Sequence, residues 1–168
     1  MRVLGIDPGN TESAYVVVDT ETRRPFEFAK VANDNLVVTL LEWAQAVEHV
    51  AIEMVASYGM SVGRDVFETC VWIGRFRQTF DLLAPDTHVR LVYRRDVKLH
   101  HCHNGAAKDT NVKQALVDRF ASGVRNHGKG TKAQPGWFYG FSRDVWQAYA
   151  LAVYVADTTP LPALEATP

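Results

Sequence analysis

The chain has 168 residues, enough for one domain with a sizeable core and too few for two ordinary domains. Apolar residues make up 47% and charged residues 22%, which is typical of a soluble globular protein, and Glu42, Glu48 and Glu53 interrupt the longest apolar stretch, so no membrane span is expected. With only two cysteines and no basic region and apolar core typical of a signal peptide, we expect a cytoplasmic protein.

The net charge of −1 conceals a segregation of charge along the chain. Residues 1–87 hold seven basic and thirteen acidic side chains, residues 88–132 hold ten basic and three acidic ones, and residues 133–168 hold one basic and three acidic ones. An acidic part beside a basic stretch is typical of an enzyme that holds a metal on one surface and a polyanion next to it. A solvated surface without a partner remains the alternative.

The chain begins with three short apolar segments that predict β-strands, and the turns between them favour an antiparallel meander. These strands are predicted at residues 2–7, 13–19 and 25–31. Asn33 and Asp34 then resemble a helix N-cap, and apolar residues recur at helical spacing as far as His49. A first helix that packs on the sheet is therefore expected.

The rest of the chain predicts alternating strands and helices. A buried strand at 50–54 follows the crossover helix and should run parallel to the first strand. The other predicted elements are a loop at 55–63, helices at 65–83, 109–120 and 142–156, a strand at 88–93 and a mobile, glycine-rich loop at 123–141. The prediction is one α/β domain over residues 1–157, with a mixed five-stranded sheet and helices on both faces, followed by a flexible tail over 158–168.

Two acidic residues stand at or next to the ends of buried strands: Asp7 precedes a Pro-Gly turn, and Glu53 is the last residue but one of the fourth strand. Since neighbouring strand ends come together in such a fold, we expect the two carboxylates to share a site, with Asp144 and Gln147 facing it from the last helix. Converging carboxylates repel one another unless a cation binds, which favours Mg²⁺ or Mn²⁺. Alternatively, Asp7 only caps its turn and Asp144 only complements the helix dipole.

Four segments of the chain occur in an order that is informative: Gly5-Ile6-Asp7-Pro8-Gly9, then Ala51-Ile52-Glu53, then Tyr93-Arg94-Arg95-Asp96-Val97-Lys98 with Lys108 and Val112-Lys113, and finally Asp144-Val145-Trp146-Gln147-Ala148-Tyr149-Ala150-Leu151-Ala152. They resemble, in order, the motifs of the RuvC family of Holliday junction resolvases, and the resemblance covers Val3 to about Asp157. The pattern is more similar to the resolvases of phages and prophages than to the bacterial housekeeping enzyme.

The resemblance implies an RNase H-like fold, a homodimer, a role in DNA recombination and repair, and endonuclease cleavage of four-way junctions into paired nicks. It also implies that Asp7, Glu53 and Asp144 hold two Mg²⁺ ions, with Mn²⁺ able to substitute, and that no small-molecule cofactor is needed. Lys108 is implied to lie near the scissile phosphate. In one departure from the family pattern, Gln147 stands where an aspartate is common, so the fourth carboxylate is missing.

Contacts to the DNA backbone are expected from the basic stretch, because Lys and Arg side chains bind phosphates. Lys98, Lys108 and Lys113 match basic positions of the family, and the track is expected to be extended by Arg94, Arg95, Arg125, Lys129 and Lys132. In the loop after Glu53, Tyr58 is a candidate to stack on an unpaired junction base, with ordinary packing as the alternative.

Two further features suggest roles outside the carboxylate site. His100, His101, Cys102 and His103 are adjacent, and since neighbouring side chains cannot all face one ion, we expect loop chemistry beside DNA rather than zinc. The predicted helix at 65–83 carries more aromatic surface than one sheet-facing stripe needs, so part of it is expected to form the subunit contact.

Two other functions remain open at the level of the sequence. The Gly5 to Thr11 segment also resembles the first phosphate motif of actin-like ATPases and sugar kinases, although 168 residues leave no room for their second domain. A catalytically weak or silent junction-binding protein is the other alternative, because Gln147 replaces a carboxylate.

Overall fold

The computed structural model describes residues 1–57, 59 and 61–159. Tyr58 and residues 160–168 of the predicted tail lie outside the described residues. Across the described ranges, no helix is long and apolar enough to cross a membrane. The elements in chain order are β1 (Arg2–Asp7), β2 (Glu12–Asp19), β3 (Pro25–Ala32), α1 (Asn33–Trp43), β4 (His49–Met54), α2 (Arg64–Leu83), β5 (His88–Tyr93), α3 (Arg94–Cys102), α4 (Asp109–Phe120) and α5 (Arg143–Thr158).

The five strands form one mixed sheet in the spatial order β3-β2-β1-β4-β5. β1, β2 and β3 are antiparallel neighbours, whereas β4 is parallel to β1 and β5 is parallel to β4. The predicted fold class is therefore confirmed, including the parallel return of β4 after the crossover through α1. The N-terminal strand lies at the centre of the sheet, where it is paired on both sides.

Alternation along β1 sends its side chains into two cores, one on each face of the sheet. Leu4 and Ile6 pack with α1 and α2, whereas Val3 packs with α4 and α5. Gly5 lies on the α5 face, where α5 approaches so closely that a Cβ at this position would stand 2.3 Å from the backbone oxygen of Ala148. By the same two-residue period, Asp7 falls on the α5 face.

The structure corrects the prediction at two elements. Helix α1 ends at Trp43 rather than near His49, because Ala44 and Val47 bury their side chains in a turn that follows the helix. Helix α3 has no counterpart in the sequence prediction, and residues 100–102, expected in a loop, are helical. Its sequence buries only Val97, so the helix carries too few apolar residues for a periodic signal.

The predicted N-cap role of Asn33 is wrong, because its side chain makes no capping bond and turns away from the helix. The buried amide donates to the Gly9 carbonyl at 2.9 Å and accepts from the Ser13 hydroxyl at 2.6 Å. Ser13 in turn accepts a hydrogen bond from the Gly9 backbone N–H at 3.1 Å. The three groups brace the turn that follows Asp7.

Two histidines attach α3 to α5. The His100 Nε2 lies 2.8 Å from an Asp157 carboxylate oxygen, and the His101 Nε2–H donates to the Ala150 carbonyl at 2.9 Å. Asp157 also binds Arg23 and Arg119, and these hydrogen bonds outweigh burial and hold the pKa of Asp157 well below its usual range. This network fixes the direction in which α3 leaves the sheet.

Acid should weaken this attachment through His101. Burial lowers the pKa of His101 from 6.5 to about 4, so the unfolded chain takes up a proton at a pH where the folded chain does not. We therefore expect the free energy of unfolding to fall between pH 6.5 and 4, by at most about 3 kcal/mol from this group. His101→Gln should reduce that dependence in urea unfolding, whereas His103→Asn, at an exposed left-handed position, should not; equal profiles would contradict the assignment.

The segment between α4 and α5 is irregular, as predicted, but it is anchored to the core. Phe138 and Phe141 are almost fully buried and pack against Trp146 of α5. The Lys129 ammonium donates to the Phe141 carbonyl at 2.6 Å, just before α5 begins. The segment therefore fixes the N-terminus of α5, which ends at Thr158, one residue beyond the predicted domain end.

Candidate active site

The site forms along one row that crosses the sheet. Asp7 on β1 pairs with Ala14 on β2, and Ala14 pairs with Lys30 on β3. On the other side, β1 and β4 are parallel and paired up to the residues just before Asp7 and Glu53, so these two carboxylates lie side by side at the strand ends. The sheet register thus places an acid pair and a lysine in one line.

Among the carboxyl groups of the site, Asp7 has the most strongly shifted pKa. Burial and, next, the Glu53 carboxylate raise the pKa of Asp7 from 3.8 to about 8, with smaller contributions from Asp144 and Asp109 and against the opposing effect of Arg94. Without a bound cation, Asp7 is therefore protonated at neutral pH. A carboxyl group with this property at a strand end is a candidate functional group.

Glu53 is bound by an arginine that also holds a second acid. The Arg94 guanidinium lies 2.7 Å from Glu53 Oε2 and contacts both carboxylate oxygens of Asp109, at 3.0 and 3.3 Å. Burial raises the pKa of Glu53, and Arg94 opposes this increase. For Asp109 the balance is reversed, because the bonds to Arg94 and Lys98 outweigh burial and lower its pKa.

Asp144 lies in the first turn of α5, close enough to raise the pKa of Asp7, and Gln147, one turn further on, lines a cleft together with Asp109. The close approach of α5 to Gly5 brings this end of the helix over β1. Lys30 reaches Asp144 with an Nζ–Oδ2 distance of 2.8 Å, and the Asp144 hydrogen bond raises the pKa of Lys30. The structure thus brings Asp7, Glu53 and Asp144 into one region, but the two outer carboxylates are each paired with a cation of the same chain.

The basic residues predicted to bind DNA divide into three groups. Lys113 and Lys129 are partly buried and, with Gln147, line a cleft of about 420 Å³. Arg94 and Lys98 bind carboxylates at the site, Lys98 through Asp109 at 3.3 Å. The residues with exposed side chains are Arg95, Lys108, Arg125 and Lys132. Lys108 directly precedes α4 and therefore lies next to Asp109 in the chain.

Sequence reasoning missed Lys30 and Asp109. Lys30 joins the site only through the strand register, which a single sequence does not display. Asp109 carried a usable signal, because it is an acidic residue in the first turn of a helix, as Asp144 is.

The donor set suits a hard divalent cation, since carboxylate oxygens are the ligands that Mg²⁺ prefers. Burial and, next, the Glu53 carboxylate raise the pKa of Asp7 and so disfavour its charged form, which such a cation would stabilise. Within residues 1–57, 59 and 61–159, however, no three His, Cys, Asp or Glu side chains are gathered closely enough to form a ready ligand set. The carboxylates thus have the right chemistry for a metal ion, but two of them, Glu53 and Asp144, are paired with Arg94 and Lys30.

Comparison with solved structures identifies the fold. The chain is similar to RuvC of Thermus thermophilus, with a TM-score of 0.67 and 18% identity over 93% of each chain. It is also similar to T. thermophilus RuvC in complex with a Holliday junction substrate, with a TM-score of 0.63 and 20% identity over 93% of each chain. No protein-family model matches the sequence, and no curated protein is significantly similar to it. The chain therefore has the RuvC, RNase H-like fold that the motif resemblance implies.

Proposed function

We propose that the protein is an endonuclease that resolves four-way DNA junctions by hydrolysing phosphodiester bonds and leaves paired nicks. The observation that carries this proposal is the acidic pair Asp7 and Glu53 at adjacent strand ends, faced by Asp144 at the start of α5, on a fold that a junction-bound RuvC shares. The activity places the protein in DNA recombination and repair.

Asp7, Glu53 and Asp144 would hold the divalent cations, two Mg²⁺ per site, with Mn²⁺ as a substitute. Such ions activate a water for attack on the scissile phosphate and stabilise the leaving oxygen. The rigid strand end and the braced turn hold Asp7 in place, which limits the reorganisation needed for reaction. Gln147 offers a neutral amide where a fourth carboxylate is common in the family, so Asp144 is the main ligand from α5.

The chain's own cations supply the binding of DNA. The exposed side chains of Arg95, Lys108, Arg125 and Lys132 are available to phosphates, and Lys108 is the one adjacent to the acidic site along the chain. Lys113 and Tyr58 complete the proposed contacts, with Tyr58 stacking on a base. Since these contacts are mainly electrostatic, junction binding should weaken steeply as salt increases.

The proposal is tested with a labelled four-way junction mixed with the full chain in Mg²⁺ and, separately, in Ca²⁺. Paired symmetric nicks in Mg²⁺ and a shifted, intact junction in Ca²⁺ are the expected results. A shifted but uncut junction under both conditions would identify a junction-binding protein without catalysis. Turnover of ATP without DNA binding would favour the actin-like or sugar-kinase-type alternative.

The silent junction binder is the second candidate, and one observation favours it. Lys30 and Arg94 pair with Asp144 and Glu53, so two of the three expected ligands already have a positive partner. If these pairs persist in Mg²⁺, the site binds DNA beside neutralised carboxylates and cuts nothing. The nicking assay separates the two candidates directly.

We also infer that two copies act together, through the outer face of α2. Phe67, Val71 and Leu82 lie on that face and are 62%, 61% and 72% exposed, whereas Phe76 and Phe80 on the opposite face are fully buried. Exposed large apolar side chains in a helical stripe are typical of an interface, and a second copy would bury them. A dimer is expected in sedimentation at tens of micromolar protein; a monomer there would overturn this inference.

A cytoplasmic location, in a bacterium or a phage-infected host, is part of the same proposal. Cys70 and Cys102 are both free thiols, which suits a reducing compartment. Branched DNA occurs in that compartment, and no small-molecule cofactor is proposed. Localisation by cell fractionation tests this placement.

A further inference from the structure

Arg94 occupies an unusual position between two carboxylates that come from different elements. It is the first residue of α3, and its guanidinium joins Glu53 at the end of β4 to Asp109 at the start of α4. The side chain is 26% exposed, and Glu53 and Asp109 are 18% and 37% exposed, so the cluster is only partly screened by water. Arginine stays charged under all ordinary conditions, so its positive charge at Glu53 is permanent.

The two halves of this contact are unequal. Arg94 donates twice to Asp109, through Nε and Nη2, and once to Glu53, through Nη1. A bidentate arginine–carboxylate pair is geometrically specific and stronger than a single contact. The guanidinium is thus able to release Glu53 and remain held by Asp109, which costs one hydrogen bond rather than three.

We propose that Arg94 is a positioning residue that acts as a displaceable counter-ion of Glu53, and that a divalent cation binds only as the guanidinium withdraws onto Asp109. This inference rests on the proposed function, because it takes Glu53 as a metal ligand. Lys30 forms a similar ion pair with Asp144, but its side chain and that of Asp144 are more exposed, at 39% and 36%. Solvent therefore screens this pair more, and it opposes binding of a divalent cation less than the Arg94–Glu53 pair does. Arg94 then sets the metal concentration that the site needs.

Calorimetric titration of the full chain with Mn²⁺, without DNA, tests the inference by affinity rather than by activity. Arg94→Met should bind Mn²⁺ about tenfold more tightly than the wild type, since the ion no longer displaces a charged hydrogen bond. Lys98→Met is the matched control, because it removes one positive charge that contacts Asp109 but not Glu53, and its affinity should change much less. Equal gains in the two variants would overturn the proposal, since they would reflect net charge alone.

Two further variants separate displacement from folding effects. Arg94→Lys keeps the charge, but one ammonium cannot reproduce the guanidinium fork, so an affinity between those of the wild type and Arg94→Met is expected. Asp109→Asn removes the acceptor onto which Arg94 withdraws, so Mn²⁺ binding should weaken by several-fold. A loss of affinity in both Arg94 variants, with melting temperatures close to that of the wild type, would mean that Arg94 assists metal binding and would overturn the proposal.

The junction assay keeps the two proposals distinguishable. If the wild type nicks junctions while Arg94→Met binds Mn²⁺ no more tightly than Lys98→Met does, only the counter-ion proposal fails. If the wild type neither nicks junctions nor binds Mn²⁺ at millimolar concentration, the proposed function fails and this inference fails with it.

Discussion

Replacing Asp7 by asparagine should reduce junction cleavage by about a thousandfold or more while leaving junction binding within a few-fold of the wild type. The variant keeps the shape of the side chain but loses the charge that would hold a cation, and loss of about 4 kcal/mol of transition-state stabilisation corresponds to this factor. Binding is expected to persist because it depends on the exposed cations of the basic stretch. Cleavage rates in Mg²⁺ and gel shifts in Ca²⁺ measure the two effects.

The matched control for this variant is Asp34→Asn, which makes the same chemical change at an exposed position in the first turn of α1. Its cleavage rate should equal that of the wild type. Full cleavage by the Asp7→Asn protein would refute the assignment of Asp7, whatever the control shows. Loss of junction binding together with cleavage would instead mean that Asp7 contributes to the DNA-binding surface.

The same variant carries a stability signature in EDTA. The unfolded chain ionises Asp7 near pH 3.8, but the folded chain retains the proton up to about pH 8, because burial and Glu53 disfavour the charge. The wild type should therefore lose unfolding free energy as the pH rises from about 4 to 8, and Asp7→Asn should lack this loss. Thermal unfolding at pH 5 and pH 8 checks the difference, and it also shows that any loss of cleavage is not a loss of folding.

The sequence was most informative where an apolar strand pattern ends at an acidic side chain. Apolar strands that end on Asp7 and Glu53 indicated the strand ends and their carboxylates, and the parallel return of β4 followed from the crossover rule. Both features are local or depend on general topology, so a single sequence carries them. The placement of Asp144 followed from the motif order and from the helix that begins just before it.

The features that the sequence did not supply depend on tertiary contacts. Lys30 reaches the site because the β2–β3 register pairs it with Ala14, and a shift of one residue would send it to the other face of the sheet. Asn33 has the composition of an N-cap, yet the turn at Gly9 and the Ser13 hydroxyl compete successfully for its amide. Helix α3 is held by contacts of His100 and His101 rather than by an apolar stripe. Its sequence therefore lacks the hydrophobic periodicity that would predict a helix.

In the basic stretch, the number of Lys and Arg residues overstates how many cationic side chains are free to bind DNA phosphates. Its charge predicts one continuous phosphate-binding surface, but Arg94 and Lys98 form ion pairs with Glu53 and Asp109. The cations that remain exposed lie mostly before α4 and in the segment that precedes α5. The proposed DNA-binding surface is accordingly narrower than the charge count implies, and part of the positive charge serves to stabilise the acidic site.

Gly5→Ala should destabilise the protein by about 1–3 kcal/mol, since the added methyl group overpacks a filled interface. Its Cβ would stand 2.3 Å from the Ala148 oxygen and 2.9 Å from the Ala152 Cβ, and one of these contacts is to backbone that cannot rotate away. Helix α5 must then move away from β1, and this movement carries Asp144 and Gln147 away from Asp7. We therefore expect cleavage to fall more than the fraction of folded protein does, measured at a temperature where the variant is fully folded.

Gly74→Ala on α2 provides the opposite result from the same chemical change. A Cβ at Gly74 meets nothing within 4 Å in the single chain, and alanine favours a helix interior over glycine by about 1 kcal/mol, so this variant should be slightly more stable than the wild type. Equal stability changes at the two glycines would mean that α5 has room to move away from β1. If Gly5→Ala instead lowers stability but leaves cleavage intact, the distance between α5 and β1 does not control the site, and Asp144 is not a required ligand.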